Sequence, residues 1–145
     1  MSGEASANGR ASLLTAITGR KVHVHSSGTF ADQDLPFCEA VEIDGVVLLS
    51  GQMGVIPGSL RLAAGGVAAE TRQMMENIGA TLEAAGLGFA NIVKATVFLA
   101  DMTEWPAFNA IYLRYFVKPY PARSALGTSG LALGARVEME CIAVR

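Results

Sequence analysis

Pro36-Phe37-Cys38-Glu39-Ala40-Val41-Glu42-Ile43, then Asp44-Gly45, then Val46-Val47-Leu48-Leu49-Ser50 is the stretch on which the fold turns. Two strand-like runs around an Asp-Gly pair predict a hairpin, because the tight turn that matches strand twist suits those two residues. Ser50-Gly51-Gln52 closes it, with a glycine that lets backbone approach a neighbour or ligand closely. Upstream, Lys21-Val22-His23-Val24-His25-Ser26 alternates and is expected to form a short strand with both histidines on one side, facing solvent. An H-x-H pair can ligate metal, but no third ligand stands at a suggestive spacing, so no metal is expected. A loop over residues 27–35 joins strand and hairpin, residues 1–10 are small and polar and expected to be loose, and residues 11–18 suit a short helix.

Downstream of the hairpin, residues 53–66 form a glycine-rich loop, and Val67, Met74, Met75, Ile78, Leu82 and Ala85 then follow helical spacing, with Gly86 placed as the stop. The methionines are core filling. Residues 92–99 read as a third main strand, with Val93, Ala95, Val97 and Leu99 on one face and Lys94, Thr96 and Phe98 on the other. Asp101-Met102-Thr103-Glu104 resembles a capping box that opens a second helix over residues 105–117, with Phe108, Ile111, Tyr112 and Tyr115 inward. Two helices in this order cover one face of a mixed sheet and leave the other to be buried by oligomerisation.

Composition narrows the function classes. At 145 residues the chain is one domain with room for a sizeable core. With 51% hydrophobic and 17% charged residues it has less polar surface than a lone monomer usually carries, which again points to burial between subunits. A net charge of -2 without a run of Lys and Arg disfavours nucleic acid as a partner. Cys38 and Cys141 show no C-x-x-C spacing and suit two small buried hydrophobes in a reducing cytosol. No stretch is long and apolar enough for a membrane span, and the N-terminus does not read as a signal peptide, so a soluble, cytoplasmic protein is expected.

Tyr120-Pro121-Ala122-Arg123-Ser124 carries the chemistry. Pro119 and Pro121 stop a helix, and the strand that follows places one arginine in a run of small, mild residues reaching to Ala135. A guanidinium is permanently charged and presents a flat fork of donors matched to a carboxylate. Its anion is either a substrate or one of the chain's own glutamates. The last strand, Val137-Glu138-Met139-Glu140-Cys141-Ile142-Ala143-Val144, offers two carboxylates that a period of two puts on the same face.

Pro121-Ala122-Arg123-Ser124, Leu131-Ala132-Leu133-Gly134-Ala135 and the strand from Val137 resemble the C-terminal signature of the reactive intermediate deaminase (Rid, or YjgF) family. Ser50-Gly51-Gln52, the strand Ile92-Val93-Lys94-Ala95-Thr96-Val97-Phe98-Leu99-Ala100-Asp101-Met102, and Phe108-Asn109-Ala110-Ile111-Tyr112 with Phe116 are similar to that family's turn, central strand and second helix. The resemblance covers about residues 21–145 as one domain and leaves 1–20 as a loose extension. It implies an α+β, chorismate-mutase-like fold assembled as a homotrimer, with ligand sites between subunits. It also implies hydrolysis of small enamines and imines, such as 2-aminoacrylate and 2-iminopropionate, to 2-oxo acids and ammonia without a cofactor. On this resemblance Arg123 clamps the substrate carboxylate and Glu138 handles the attacking water, while Gly51, Ala125, Asn109 and Phe37 shape the pocket. Three positions depart from the family's pattern: Phe37 stands for a tyrosine, Ala125 for a cysteine and Ala132 for a proline. The missing hydroxyl at Phe37 leaves room for a second reading, a module that binds 2-oxo or short carboxylic acids without turnover. An endoribonuclease or translation inhibitor, an older label of the family, sits poorly with an acidic chain.

Overall fold

A computed structural model describes residues 2–30 and 33–145, so position 1 of the expected loose terminus and positions 31 and 32 of the expected loop lie outside the described residues. At the hairpin, Asp44 and Gly45 have φ of 51° and 84° and turn β2 (Ala40–Ile43) back on β3 (Val46–Met53) as antiparallel neighbours. Positive φ at both positions is what the Asp-Gly pair predicts. β2 starts at Ala40, later than the sequence suggests, because Glu39 turns inward to accept from the Ser27 N–H at 2.9 Å and the Thr81 hydroxyl at 2.8 Å. Cys38 therefore lies outside the strand and is only half-buried, whereas Cys141 is fully buried.

The remaining strands are β1 (Val22–His25), β4 (Ile92–Leu99), β5 (Ala122–Gly127) and β6 (Val137–Val144), and the sheet runs β1-β2-β3-β6-β4-β5. Its neighbours are antiparallel except β4 and β5, which are parallel and joined through a helix as parallel pairs require. α2 (Gly66–Ala84) and α3 (Trp105–Tyr112) pack on one face. Met74, Met75, Ile78 and Leu82 of α2 meet Phe108 and Tyr112 of α3 over Val47, Leu49, Ala95, Val97 and Met139 in one core. Burying each such side chain contributes about 1.5–3 kcal/mol. α2 ends where Gly86 takes φ 74°: its N–H reaches the Glu83 carbonyl and the Leu87 N–H the Leu82 carbonyl, both at 2.8 Å. That pairing satisfies the last carbonyls of the helix.

Several expectations change on contact with the structure. Val93 was expected on the inner face and is 47% exposed. An extra residue is inserted in β4 between Ile92 and Lys94, so Ile92 and Ala95 both point inward and Val93 is thrown out. α3 ends at Tyr112 instead of 117, as Arg114 and Tyr115 tighten to three-residue bonds on Ile111 and Tyr112 ahead of Pro119. Only half of the capping box forms: Asp101 accepts from the Thr103 N–H at 2.9 Å, but the Glu104 carboxylate accepts from the Arg136 Nε–H at 2.7 Å. α1 spans Ser2–Thr18, taking in positions expected to be loose, and is tied to β1 by the Val22 N–H donating to the Thr15 hydroxyl at 3.2 Å. His25 does not face solvent; its Nε2 lies 2.6 Å from Glu42, which also takes two bonds from Arg145 at 3.0 Å. Among the described residues no helix is long and apolar enough to cross a membrane.

On the opposite face α1 packs at the β1 end, where Val22 is buried, and no described helix covers the middle of the sheet around Leu48 and Ile142. Leu48, Ile142, Phe98 and Lys94 lie on this face together with Glu138 and Glu140, and Leu48 is 44% exposed. A shallow cavity of about 200 Å³ lined by Leu48, Lys94, Thr96, Glu140 and Ile142 opens there.

Candidate active site

Arg123 takes its direction from the register of a parallel pair. It lies opposite Ala95 on β4, and Ala95 faces the core, so the arginine leaves the sheet on the helix side at the edge strand β5. There α3 offers Trp105, Asn109 and Tyr112 at i, i+4 and i+7, one face of the helix. The guanidinium carbon sits 4.6 Å from the ring centroid of Trp105 and 4.6 Å from that of Tyr112, and Nη1 donates to Asn109 Oδ1 at 2.9 Å. Each stacked ring is worth about 0.5–2 kcal/mol, according to how dry the contact is. Among the described residues no carboxylate pairs with Arg123, so the alternative of an internal glutamate partner does not hold within one chain. One guanidinium donor goes to Asn109 and the rest of the fork is unspent. Ala125 follows two residues on, opposite Val97, and is exposed on the same edge strand.

Glu138 belongs to a second cluster. Between Leu49 and Gln52 of β3 the chain holds one residue more than β6 does between Cys141 and Met139, and this bulge carries Ser50 and Gly51. The bulge brings Gly51 against the Glu138 side chain so closely that an added Cβ would overlap the carboxylate, with Cδ only 3.1 Å away. Burial, then the neighbouring Glu140 carboxylate, pushes the Glu138 carboxyl above the ordinary carboxylate value. Glu138 and Glu140 do share a face, as their spacing predicts. The bulge also holds the preceding loop: the Ser50 hydroxyl donates to the Cys38 carbonyl at 2.6 Å, which places Phe37, 53% exposed, just beyond it.

The six expected site residues thus fall into two groups. Arg123, Asn109 and Ala125 gather at the β5 edge on the helix side, and Glu138 and Gly51, with Phe37 nearby, gather at the bulge on the open side. One chain alone does not bring Arg123 and Glu138 together. Sequence reasoning missed Trp105, and treated Tyr112 as core alone; the signal was an aromatic-x3-Asn-x2-aromatic pattern on one helical face just ahead of the lone arginine. No group of three His, Cys, Asp or Glu among the described residues is placed to hold a metal ion.

The family described as Endoribonuclease L-PSP matches residues 29–145. The 2-iminobutanoate/2-iminopropanoate deaminase of Capra hircus is 46% identical over 110 residues, covering 76% of this chain and 80% of that one. The protein of the same name from Homo sapiens is 43% identical over the same shares. The crystal structure of RidA from the Antarctic bacterium Psychrobacter superposes with a TM-score of 0.78 at 32% identity, covering 84% of this chain and 98% of that one. Sequence motifs, sheet topology and these likenesses converge, and the chain belongs to the reactive intermediate deaminase family, also called Rid, YjgF or L-PSP.

Proposed function

We propose that the protein hydrolyses small 2-imino and 2-enamino acids to 2-oxo acids and ammonia, as a homotrimer of chorismate-mutase-like subunits. The observation that carries this reading is the Arg123 guanidinium, braced by Trp105, Tyr112 and Asn109 with most of its fork unspent. Such a group takes a substrate carboxylate through two parallel charge-assisted bonds and aims the neighbouring imine carbon. Because Glu138 leaves the other face of the sheet, the site is formed between copies, with Arg123, Asn109 and Ala125 from one and Gly51, Glu138 and Phe37 from the next. The uncovered apolar face around Leu48 and Ile142 gives the copies a surface to bury. In the closed site a water adds across the C=N bond: its oxygen bonds the carbon, one of its protons goes to the nitrogen and the other to Glu138, leaving the carbinolamine as its alkoxide. Return of that proton to the nitrogen lets the carbinolamine collapse to the ketone and ammonia. A carboxyl already raised above its ordinary value is suited to carry a proton both ways. No cofactor, nucleic acid or membrane enters this reading, and the composition that suits the cytosol supports a cytoplasmic setting.

The test generates 2-imino acids in place with an amino-acid oxidase and traps them with semicarbazide. The protein is expected to reduce the trapped fraction, and light scattering at micromolar concentration is expected to give three times the 15.1 kDa chain mass. Unreduced trapping for several imino acids, alongside saturable binding of 2-oxobutyrate, selects the binding module that Phe37 leaves open. A monomer mass removes the intersubunit site.

A further inference from the structure

Helix α3 commits one whole face to a side chain that lies outside it. Trp105 and Tyr112 are two turns and about 10.5 Å of axial rise apart on one face, so a single long side chain can reach both rings. Arg123 does so at 4.6 Å from each centroid. Phe108 lies between the two rings on the core side, its centroid 5.4 Å from Trp105 and 5.6 Å from Tyr112, and holds both in place. The Tyr112 hydroxyl is buried and makes no hydrogen bond, so what this residue gives Arg123 is the face of its ring. The pattern is that of a support and not of an ion pair. An arginine on an exposed edge strand would otherwise wander among rotamers, because its chain carries several freely turning bonds.

We propose that Trp105 and Tyr112 are positioning residues for the carboxylate clamp: their ring faces fix the plane of the Arg123 guanidinium, Asn109 fixes its rotation in that plane, and the unspent fork is thereby aimed at the carboxylate of a 2-imino or 2-oxo acid. The inference rests on the reading of Arg123 as the carboxylate ligand. Pre-aligning the fork removes an ordering cost from binding. A loosened guanidinium still spends part of its time in the productive plane, where it aims the imine carbon as before, so loosening the support weakens binding and raises KM more than it lowers kcat. A defect of folding would instead lower the active fraction, and with it kcat, at unchanged KM.

The experiment measures 2-oxobutyrate binding by calorimetry, and KM and kcat in the trapping assay, for the wild type, Trp105→Phe, Trp105→Leu, Tyr112→Phe and Tyr112→Leu. The leucine variants are expected to bind about five- to twentyfold more weakly, with KM raised in step and kcat within about twofold. The phenylalanine variants keep a ring face and are expected to stay near wild type. Leucine variants with wild-type affinity, or phenylalanine variants as weak as leucine, overturn the proposal. Should a leucine variant not fold, the wild type supplies the reading: the Arg123 Nε–H proton resonance is expected shifted upfield by ring currents, and an unshifted resonance overturns the support. Arg123→Ala is the control that separates the two levels. If it binds 2-oxobutyrate as the wild type does, the clamp itself falls and takes this inference with it; if it loses binding while the leucine variants keep theirs, only this inference falls.

Discussion

Replacing Arg123 by lysine keeps a positive charge between Trp105 and Tyr112 and removes the planar fork. In the structure Nη1 already gives a hydrogen to Asn109 at 2.9 Å, and the free part of the guanidinium is what two parallel bonds to a carboxylate need. An ammonium in the same place bonds the carboxylate at one point, so at least one charge-assisted bond is lost. That bond is worth about 1.5–3 kcal/mol, or roughly ten- to a hundredfold in kcat/KM, and misalignment of the imine carbon adds to it. If Arg123 served only to brace β5 on α3, lysine would keep the attraction to both rings and one donor for Asn109, and activity would hardly move. The measurement is kcat/KM on 2-imino acids released by an amino-acid oxidase, with the variant matched to wild type in melting temperature and scattering mass. A folded variant of wild-type efficiency would refute the clamp.

Gly51→Ala forces a Cβ into the Glu138 carboxylate, so we expect turnover to fall about tenfold or more while the melting temperature moves by only a few degrees; equal turnover would show that Glu138 is free to move aside. Phe37→Tyr keeps the ring and adds a hydroxyl on an exposed loop beside the bulge, and is expected to raise or broaden deaminase turnover without loss of stability; unchanged or lower turnover on every imino acid tested would remove that position from the site. The paired bonds from Arg145 and the contact with His25 hold the buried Glu42 carboxyl down to about 2 from its ordinary 4.5, against the opposing effect of burial. Its folded value lies below its unfolded one, so its stabilisation is complete above about pH 4.5 and drains away as pH falls towards 2. Urea unfolding at pH 3 against pH 6 should cost about 1–2 kcal/mol through this group, after a discount for the half-exposed Arg145, and the same loss in Glu42→Gln would assign it elsewhere.

Local rules carried the hairpin and α2, because a single physical requirement decided each: positive φ at Asp44 and Gly45, and an apolar stripe from Val67 to Ala85 closed by a glycine. They failed where one inserted residue changes the phase. The bulge at Val93 reverses a side chain that strict alternation puts inside, and the bulge at Ser50 and Gly51 is what lets Glu138 sit where it does. Asp-Gly signals a turn in any sequence, but an extra residue in a strand leaves no composition of its own. The early end of α3 was hidden for a similar reason: apolar spacing runs on through Tyr115 and Phe116, while the backbone has already tightened to a three-residue repeat. Arg123 stood out from the sequence as an anion binder, but the two rings around it did not, since Tyr112 satisfies a core pattern equally well. That Arg123 and Glu138 part to opposite faces depends on the parallel register of β4 with β5, a pairing between strands that are separated in sequence by a helix.

That parting has a genetic consequence. When a site draws its arginine from one copy and its glutamate from the next, two lesions that each abolish activity alone can rescue one another. Arg123→Ala chains and Glu138→Gln chains, unfolded and reassembled together in equal amounts, would meet at random around the ring. About a quarter of the clefts would then join an intact arginine to an intact glutamate, and a like fraction of wild-type activity should return. If both groups served from a single chain, every cleft in the mixture would keep one broken half and no activity would reappear.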